Sequence, residues 1–232
     1  MSRIEHNVDL VVPIKKLDRA KSRLRGVVPA DEHADLVLAL LLDTVTAAIQ
    51  ADGVRRVLVV CDDERVSAAL TGTGVEYTDQ RGLPDLNAAL TFGAAYLRTP
   101  DGTVGALQAD LTALRPTELA AAIEEAGGRR AYCADRPATG TTLLLAAPGE
   151  QLNPRFGPRS ANAHAITGAV QVGRSLASLR CDVDTEEDLS MAAELGLGKS
   201  TVGVRPPPAP SSHERGNAQG DLQTCGLTEE EH

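Results

Sequence analysis

The chain has no tryptophan, three tyrosines and two phenylalanines in 232 residues. Five aromatics cannot build the stacking platform on which single-stranded nucleic acid lies. The net charge of −9 points the same way, because a phosphate backbone has to be met with lysine and arginine. Cysteine is scarce too: Cys61, Cys133, Cys181 and Cys225 are scattered, with no CxxC pair. Such spacing argues against a zinc knuckle and against a disulfide framework. It suits a reducing cytosol, so a cytoplasmic protein is expected. No apolar run reaches membrane-spanning length, and the polar start MSRIEHN does not read as a signal peptide.

What is present is a concentrated basic stretch. The apolar run 8–14 is broken at Pro13 and leads straight into Lys15, Lys16, Arg19, Lys21, Arg23 and Arg25. Asp18 is the one acid from Lys15 to Arg25, so this loop carries a local charge of +5 on a chain of −9. A strand that empties into a basic loop suits a small polyanion bound at the carboxyl end of a first strand, such as the phosphates of a nucleotide. A solvated basic loop is the other reading at this point.

Along the chain, strand and helix alternate. Residues 8–14 read as a buried, β-branched strand. Asp31 opens a helix to about Gln50, with Gly53 as its stop. Residues 57–61 form a second strand, after which Asp62 or Asp63 can cap a short helix. Residues 75–78 are a weaker strand, and RGLPDLNAAL supplies a turn and an alanine-rich helix through Leu97. A fourth strand spans residues 103–108 and ends in Asp110; Pro116 then starts a helix to about Ala126, closed by Gly127 and Gly128. Residues 130–134 resume the sheet. The pattern predicts an α/β fold: a mostly parallel mixed sheet with helices on both faces and ligands at the carboxyl edge of its strands.

Past residue 135 the rhythm changes. Residues 142–147 form an apolar strand too close to its predecessor for a helical crossover. An irregular stretch, a short helix over 160–167, and closing strands at 170–172 and 179–182 follow. Thr185 and Asp188 resemble a capping box for a helix to about Leu195. Residues 1–198 read as one domain and 199–232 as a disordered, proline-rich C-terminal tail. GKST at 198–201 is no P-loop, because the glycine such a loop needs five residues earlier is Ala193.

Two acidic groups sit at strand ends. Asp110 in LQADLTAL faces the ligand edge, unless it serves only as a turn or cap. Asp182 and Asp184, in CDVDTEED, have i, i+2 spacing that puts both carboxylates on one face of an extended segment. Oxygen donors of this kind suit Mg²⁺ held together with substrate phosphates. The remaining acids of that run, Glu186, Glu187 and Asp188, are equally explained by a helix N-terminus.

The blocks VVPIKKLDRAKSRL, GLPDLNAAL, LQADLTALRP, TGTTLLL, FGPRSANAH and CDVDTEEDL together resemble a guanylyltransferase family. Its members act early in coenzyme F(420) biosynthesis, on 2-phospho-L-lactate or, in the actinobacterial branch, on phosphoenolpyruvate. The resemblance runs from about Val8 to Leu197. It implies a nucleotide-diphospho-sugar transferase type of fold, shared with molybdenum-cofactor guanylyltransferases. One position departs from the pattern: Thr112 stands where the family usually has proline.

The resemblance also implies roles. Lys15, Lys21 and Arg23 would neutralise the triphosphate and the departing pyrophosphate, with Lys16, Arg19 and Arg25 left to solvent. Gly82, Leu83 and Asn87 would lie near the guanine and ribose. Asp110, Asp182 and Asp184 would position Mg²⁺, and Asp110 would join Lys21 and Arg23 in catalysis. Thr142, Gly157 and Ser160 would hold phosphoenolpyruvate, with Arg155 and Arg159 as helpers or surface residues. The implied reaction transfers GMP from GTP to phosphoenolpyruvate, giving enolpyruvyl-2-diphospho-5'-guanosine and pyrophosphate. Transfer to 2-phospho-L-lactate and a non-catalytic GTP-binding regulatory domain are the alternatives. Related transferases carry a glycine-rich loop where this chain has KKLDRAKSRL, with no glycine before Gly26. GTP and a small phospho-acid are the expected partners, without nucleic acid or membrane; a homodimer and coupling to the next transferase of the pathway stay open.

Overall fold

The computed structural model describes residues 7–79 and 82–204. Seven strands form one sheet: β1 (Val8–Pro13), β2 (Val54–Cys61), β3 (Glu76–Asp79), β4 (Thr103–Leu107), β5 (Ala131–Ala134), β6 (Thr141–Leu145) and β7 (Val170–Gln171). Their order is β3-β2-β1-β4-β6-β5-β7. Only β6 runs against the rest: it pairs antiparallel with β4 and β5, whereas the other pairings are parallel. This is the mostly parallel mixed sheet expected from the sequence.

Every residue of β1 is buried, as a central parallel strand covered on both faces requires. Val8, Leu10 and Val12 face one layer, with Val37, Leu41 and Val45 of α1 (His33–Ile49), Val66 and Leu70 of α2 (Glu64–Leu70), and Leu119 and Ile123 of α4 (Pro116–Ala126). Val11 faces the other, with Ala89, Leu90, Ala94 and Leu97 of α3 (Leu86–Leu97) and Ala161 of α5 (Ser160–Ile166). Helix α1 is buried on a second side as well. Its Leu36 and Leu40 meet Leu189 and Ala192 of α6 (Glu186–Leu195), each buried leucine contributing about 2 kcal/mol.

Two expectations are corrected. Residues 179–182 form no strand. Both sides of β4, β5 and β6 are already paired, so these residues cross the carboxyl ends of the strands instead. Arg180 holds them there by donating to the carbonyls of Ala134, Asp135, Arg136 and Arg174. The ordered chain also continues past Gly198 as α7 (Lys199–Val204), so residues 199–204 belong to the folded part. Residues 205–232, and with them Cys225 and the rest of the expected tail, lie outside the described residues.

Helix α7 explains GKST. The buried Asp43 carboxylate accepts from Ser200 N at 2.8 Å and Thr201 N at 2.9 Å, so this amino terminus binds a carboxylate of its own chain. Thr112 donates to Asp43 Oδ2 at 3.0 Å and lies 2.7 Å from the Thr201 hydroxyl. The residue that departs from the family's proline is thus part of a buried polar network.

Candidate active site

The carboxyl ends of β1 and β4 open into a cavity of about 440 Å³. Its walls include Lys15, Arg19, Lys21 and Arg23 from the loop after β1, Gln108 and Asp110 from the end of β4, Leu86 of α3, and Asp184. The basic loop is a built structure. Leu17 and Leu24 are fully buried beneath it, Asp63 accepts from Leu17 N at 3.0 Å, and His33 Nε2 lies 3.0 Å from the Ala20 carbonyl oxygen. Lys21 itself takes a left-handed backbone, φ 51° and ψ 45°, a conformation that costs a non-glycine residue about 1–2 kcal/mol.

That backbone turn sends the Lys21 ammonium between two carboxylates. It donates to Asp110 Oδ2 and, at 2.6 Å, to Asp184 Oδ1. The acids are brought together by a single backbone bond, Val183 N to the Asp110 carbonyl at 3.1 Å. Burial works against the Lys21 charge, but the two carboxylates outweigh it and hold its pKa above the ordinary lysine range. Burial raises Asp110, and the Lys21 ammonium pulls it back. Asp184 is opposed by burial and still lowered, through the Lys21 charge and hydrogen bond and then Arg23. Asp182 is pushed up to about 7, first by burial and then by Asp110, Asp135 and Asp184 against the pull of Lys21.

Asp182 lines a smaller cavity with Asp135, Asp184 and Asp188, and Asp184 borders both cavities. Cys181 and Val183 are buried, whereas Asp182 is half-buried and Asp184 exposed. The donors have the right chemistry for a hard divalent cation. Among the described residues, the buried Asp110 Oδ1 accepts no hydrogen bond and Asp182 has no ion-pair partner. They are not preassembled: among the described residues no three His, Cys, Asp or Glu side chains are grouped to hold one ion. The Lys21 ammonium occupies the position between two of them.

The other expected residues are placed less uniformly. Lys15, Lys21 and Arg23 line the cavity, and Arg19, assigned to solvent, lines it too. Lys16 is exposed and paired with Asp62 at 3.5 Å. Arg25 donates to the Asp18 carbonyl. From the GLPDLN block only Leu86 reaches the cavity; Gly82 is exposed at φ 76°, and Leu83 packs on the α3 side of the core. Arg81 lies outside the described residues. The Asn87 amide is already engaged, accepting from Phe156 N at 2.8 Å and donating to the Phe156 carbonyl at 2.9 Å. That arrangement is not one of a side chain presented to a base edge.

Thr142 is completely buried, its hydroxyl finds no oxygen or nitrogen partner among the described residues, and its carbonyl accepts from Gln108 N at 2.9 Å. Gly157 is exposed at φ 135° with open space around its α-carbon, and Ser160 is buried at the start of α5. Arg155 is exposed; Arg159 precedes α5 in a left-handed conformation. Thr142 and Ser160 are thus buried and Gly157 exposed, and none of the three lines the cavity. Gln108 was missed in the sequence, although its i, i+2 relation to Asp110 at a strand end was the available signal.

A family model described as "Guanylyl transferase CofC like" matches residues 8–201. A phosphoenolpyruvate guanylyltransferase of Salinispora arenicola is 48% identical over 196 residues, covering 83% of this chain and 91% of the relative. Another, of Streptomyces scabiei, is 47% identical over 201 residues, with 83% and 93% covered. Among solved structures, one assigned as a nucleotide-diphospho-sugar transferase from Desulfovibrio desulfuricans G20 has a TM-score of 0.56 at 15% identity, covering 79% of this chain and 85% of that one. A CMP:2-keto-3-deoxy-manno-octonic acid synthetase complexed with CTP has a TM-score of 0.50 at 15% identity, with 82% and 98% covered. At such identity these two establish the fold alone.

Proposed function

The chain belongs to the CofC-like guanylyl transferase family, and from that premise we propose that it transfers the guanylyl group of GTP to phosphoenolpyruvate. The observation that carries the reading is the Lys21 ammonium bridging Asp110 and Asp184 at a cavity otherwise walled by Lys15, Arg19 and Arg23. Cations and carboxylates drawn from both ends of the fold meet where two anionic substrates must be brought together.

In this reading a phosphate oxygen of phosphoenolpyruvate attacks the α-phosphorus of GTP in line. The bond from the α-phosphorus to the bridging oxygen breaks, and pyrophosphate carries that oxygen and the electron pair away. The nucleophile is already an anion, so the chain has no proton to remove. Its work is orientation and neutralisation of charge. Lys15, Arg19 and Arg23 face the polyphosphate, and Lys21 supplies positive charge where negative charge accumulates. Asp110, Asp182 and Asp184 would hold Mg²⁺, which supplies Lewis-acid polarisation of the phosphates when bound. In this reading Thr142, Gly157 and Ser160 take the acceptor, and Gly82 and Leu83 the nucleoside, as the family resemblance implies.

Among the described residues no helix is long and apolar enough to cross a membrane. We place the enzyme in the cytoplasm, where both substrates are metabolites. Its product, a diphosphate diester, is activated for a second transferase that displaces GMP, and that transferase is the partner we propose.

Phosphorus NMR of the full chain with GTP, phosphoenolpyruvate and Mg²⁺ tests the reaction. The phosphate monoester resonance of phosphoenolpyruvate should give way to coupled diphosphate resonances in step with free pyrophosphate. Pyrophosphate appearing while the monoester resonance persists would mean hydrolysis instead of transfer.

A further inference from the structure

The segment from the end of β6 to the start of α5 has no regular hydrogen-bonding partner at residues 151–156, yet its backbone is held. Asn87, in the first turn of α3, pairs with both the N–H and the C=O of Phe156, at 2.8 Å and 2.9 Å. The two residues are 69 positions apart, so this is one side chain imitating a strand partner. Asparagine can do so because its amide offers a donor and an acceptor at once.

His164 of α5 holds the neighbouring residue. Its Nε2 accepts from Arg155 N at 3.0 Å, so that nitrogen carries no proton. The proton is therefore on Nδ1, which donates to Thr141 Oγ1 at 2.9 Å. His164 and Thr141 are buried, and the Phe156 ring packs edge-on against the imidazole at a centroid separation of 5.1 Å. Arg155 and Phe156 are thus pinned from two helices. Immediately after them come Gly157 at φ 135° and the turn in which Ser160 N donates to the Gly157 carbonyl at 3.1 Å.

We propose that Asn87 and His164 are positioning residues for the phospho-acid acceptor. They fix the backbone at Arg155 and Phe156 and thereby aim Gly157 and Ser160. This rests on the reading that those two residues take the acceptor. It gives Asn87 a place in acceptor binding, where the family resemblance alone would put it on the guanine.

The test is a two-substrate kinetic comparison of the full chain with its Asn87→Ala, Asn87→Asp and His164→Phe variants, with Mg²⁺ present. Asn87→Ala should raise KM for phosphoenolpyruvate about tenfold, the size expected for a lost pair of buried hydrogen bonds, and leave KM for GTP within about twofold. Asn87→Asp keeps the acceptor for Phe156 N–H and should fall between wild type and Asn87→Ala. His164→Phe should reproduce the same split. A raised KM for GTP with that of phosphoenolpyruvate unmoved would overturn the proposal, and so would no change in either. Amide hydrogen exchange reads the brace independently of turnover. Phe156 N–H should exchange faster in Asn87→Ala while the amides of α3 keep their protection; unchanged exchange at Phe156 would overturn it. If wild type released no pyrophosphate with phosphoenolpyruvate, the proposed reaction would fall, and the exchange measurement would still decide the brace.

Discussion

Lys21 joins sequence positions that have no local reason to meet. It lies 89 residues from Asp110 and 163 from Asp184, and it donates to both. Replacing it by methionine leaves Asp110 buried with no cation beside it, and an uncompensated buried charge costs about 3–5 kcal/mol. Lys21→Met should therefore lower turnover by about 10²-fold or more, and its urea midpoint should respond to Mg²⁺ more strongly than that of wild type. Near-normal turnover would remove Lys21 from the mechanism. His164 sets a stability prediction. Burial, then Arg130 and Arg155, lower its pKa from 6.5 to about 4. A lowered folded-state pKa means the neutral imidazole stabilises the fold above the unfolded value, and this contribution is lost as protons are taken up. The urea midpoint of wild type relative to His164→Phe should be constant above about pH 6.5 and fall between pH 6.5 and 4, the comparison cancelling groups such as Asp182 that titrate in both proteins. Equal slopes in the two proteins would show that another group governs acid unfolding.

At the scale of elements, α7 acts as a strut beneath the site. Gly198 N donates to the Thr112 carbonyl at 2.9 Å, and Thr112 follows Asp110 by two residues. Leu111 N donates to Thr44 Oγ1 at 2.9 Å, so the turn after Asp110 is held by α1 and α7 together. Ending the chain after Gly198 should destabilise it by about 3 kcal/mol, because Asp43 loses the N–H donors of Ser200 and Thr201. Ending it after Val204 keeps every one of those bonds and should leave the urea midpoint and turnover near wild type. Equal stability of the two truncations would deny α7 this role. The sequence was most legible where local chemistry decides the outcome. Pro116 begins α4 and Gly127, at φ 57°, closes it, as read in advance. Thr185 and Asp188 do form the reciprocal capping box. Legibility failed where alternation came from burial without pairing. Leu179, Cys181 and Val183 are buried in alternation, but β4, β5 and β6 each already have two strand neighbours. Contacts over long separations were invisible as well: the Asn87 amide looked free to read a base until Phe156 was found on it.

For the whole molecule, the distribution of charge matters more than its sum. A chain of −9 places six of its 23 Lys and Arg residues in one loop, with the buried Asp110 and the exposed Asp184 beside them. Substrate phosphates are then drawn by a local field that salt screens over about 8–10 Å. Raising ionic strength from about 50 mM to about 500 mM should raise KM for GTP several-fold and leave kcat within about twofold. A salt-independent KM would mean that the loop is not where the triphosphate binds. The sheet supplies the common edge at which that loop, Asp110 and Asp184 meet, and the family supplies the reaction. The decisive measurement is pyrophosphate release from GTP and Mg²⁺, comparing phosphoenolpyruvate with 2-phospho-L-lactate and recording the product's mass. Release with phosphoenolpyruvate, and a product mass equal to GMP joined to enolpyruvyl phosphate through a diphosphate, is the predicted result. Release with 2-phospho-L-lactate alone would contradict the acceptor assignment, and GTP binding without release for either acid would contradict catalysis itself.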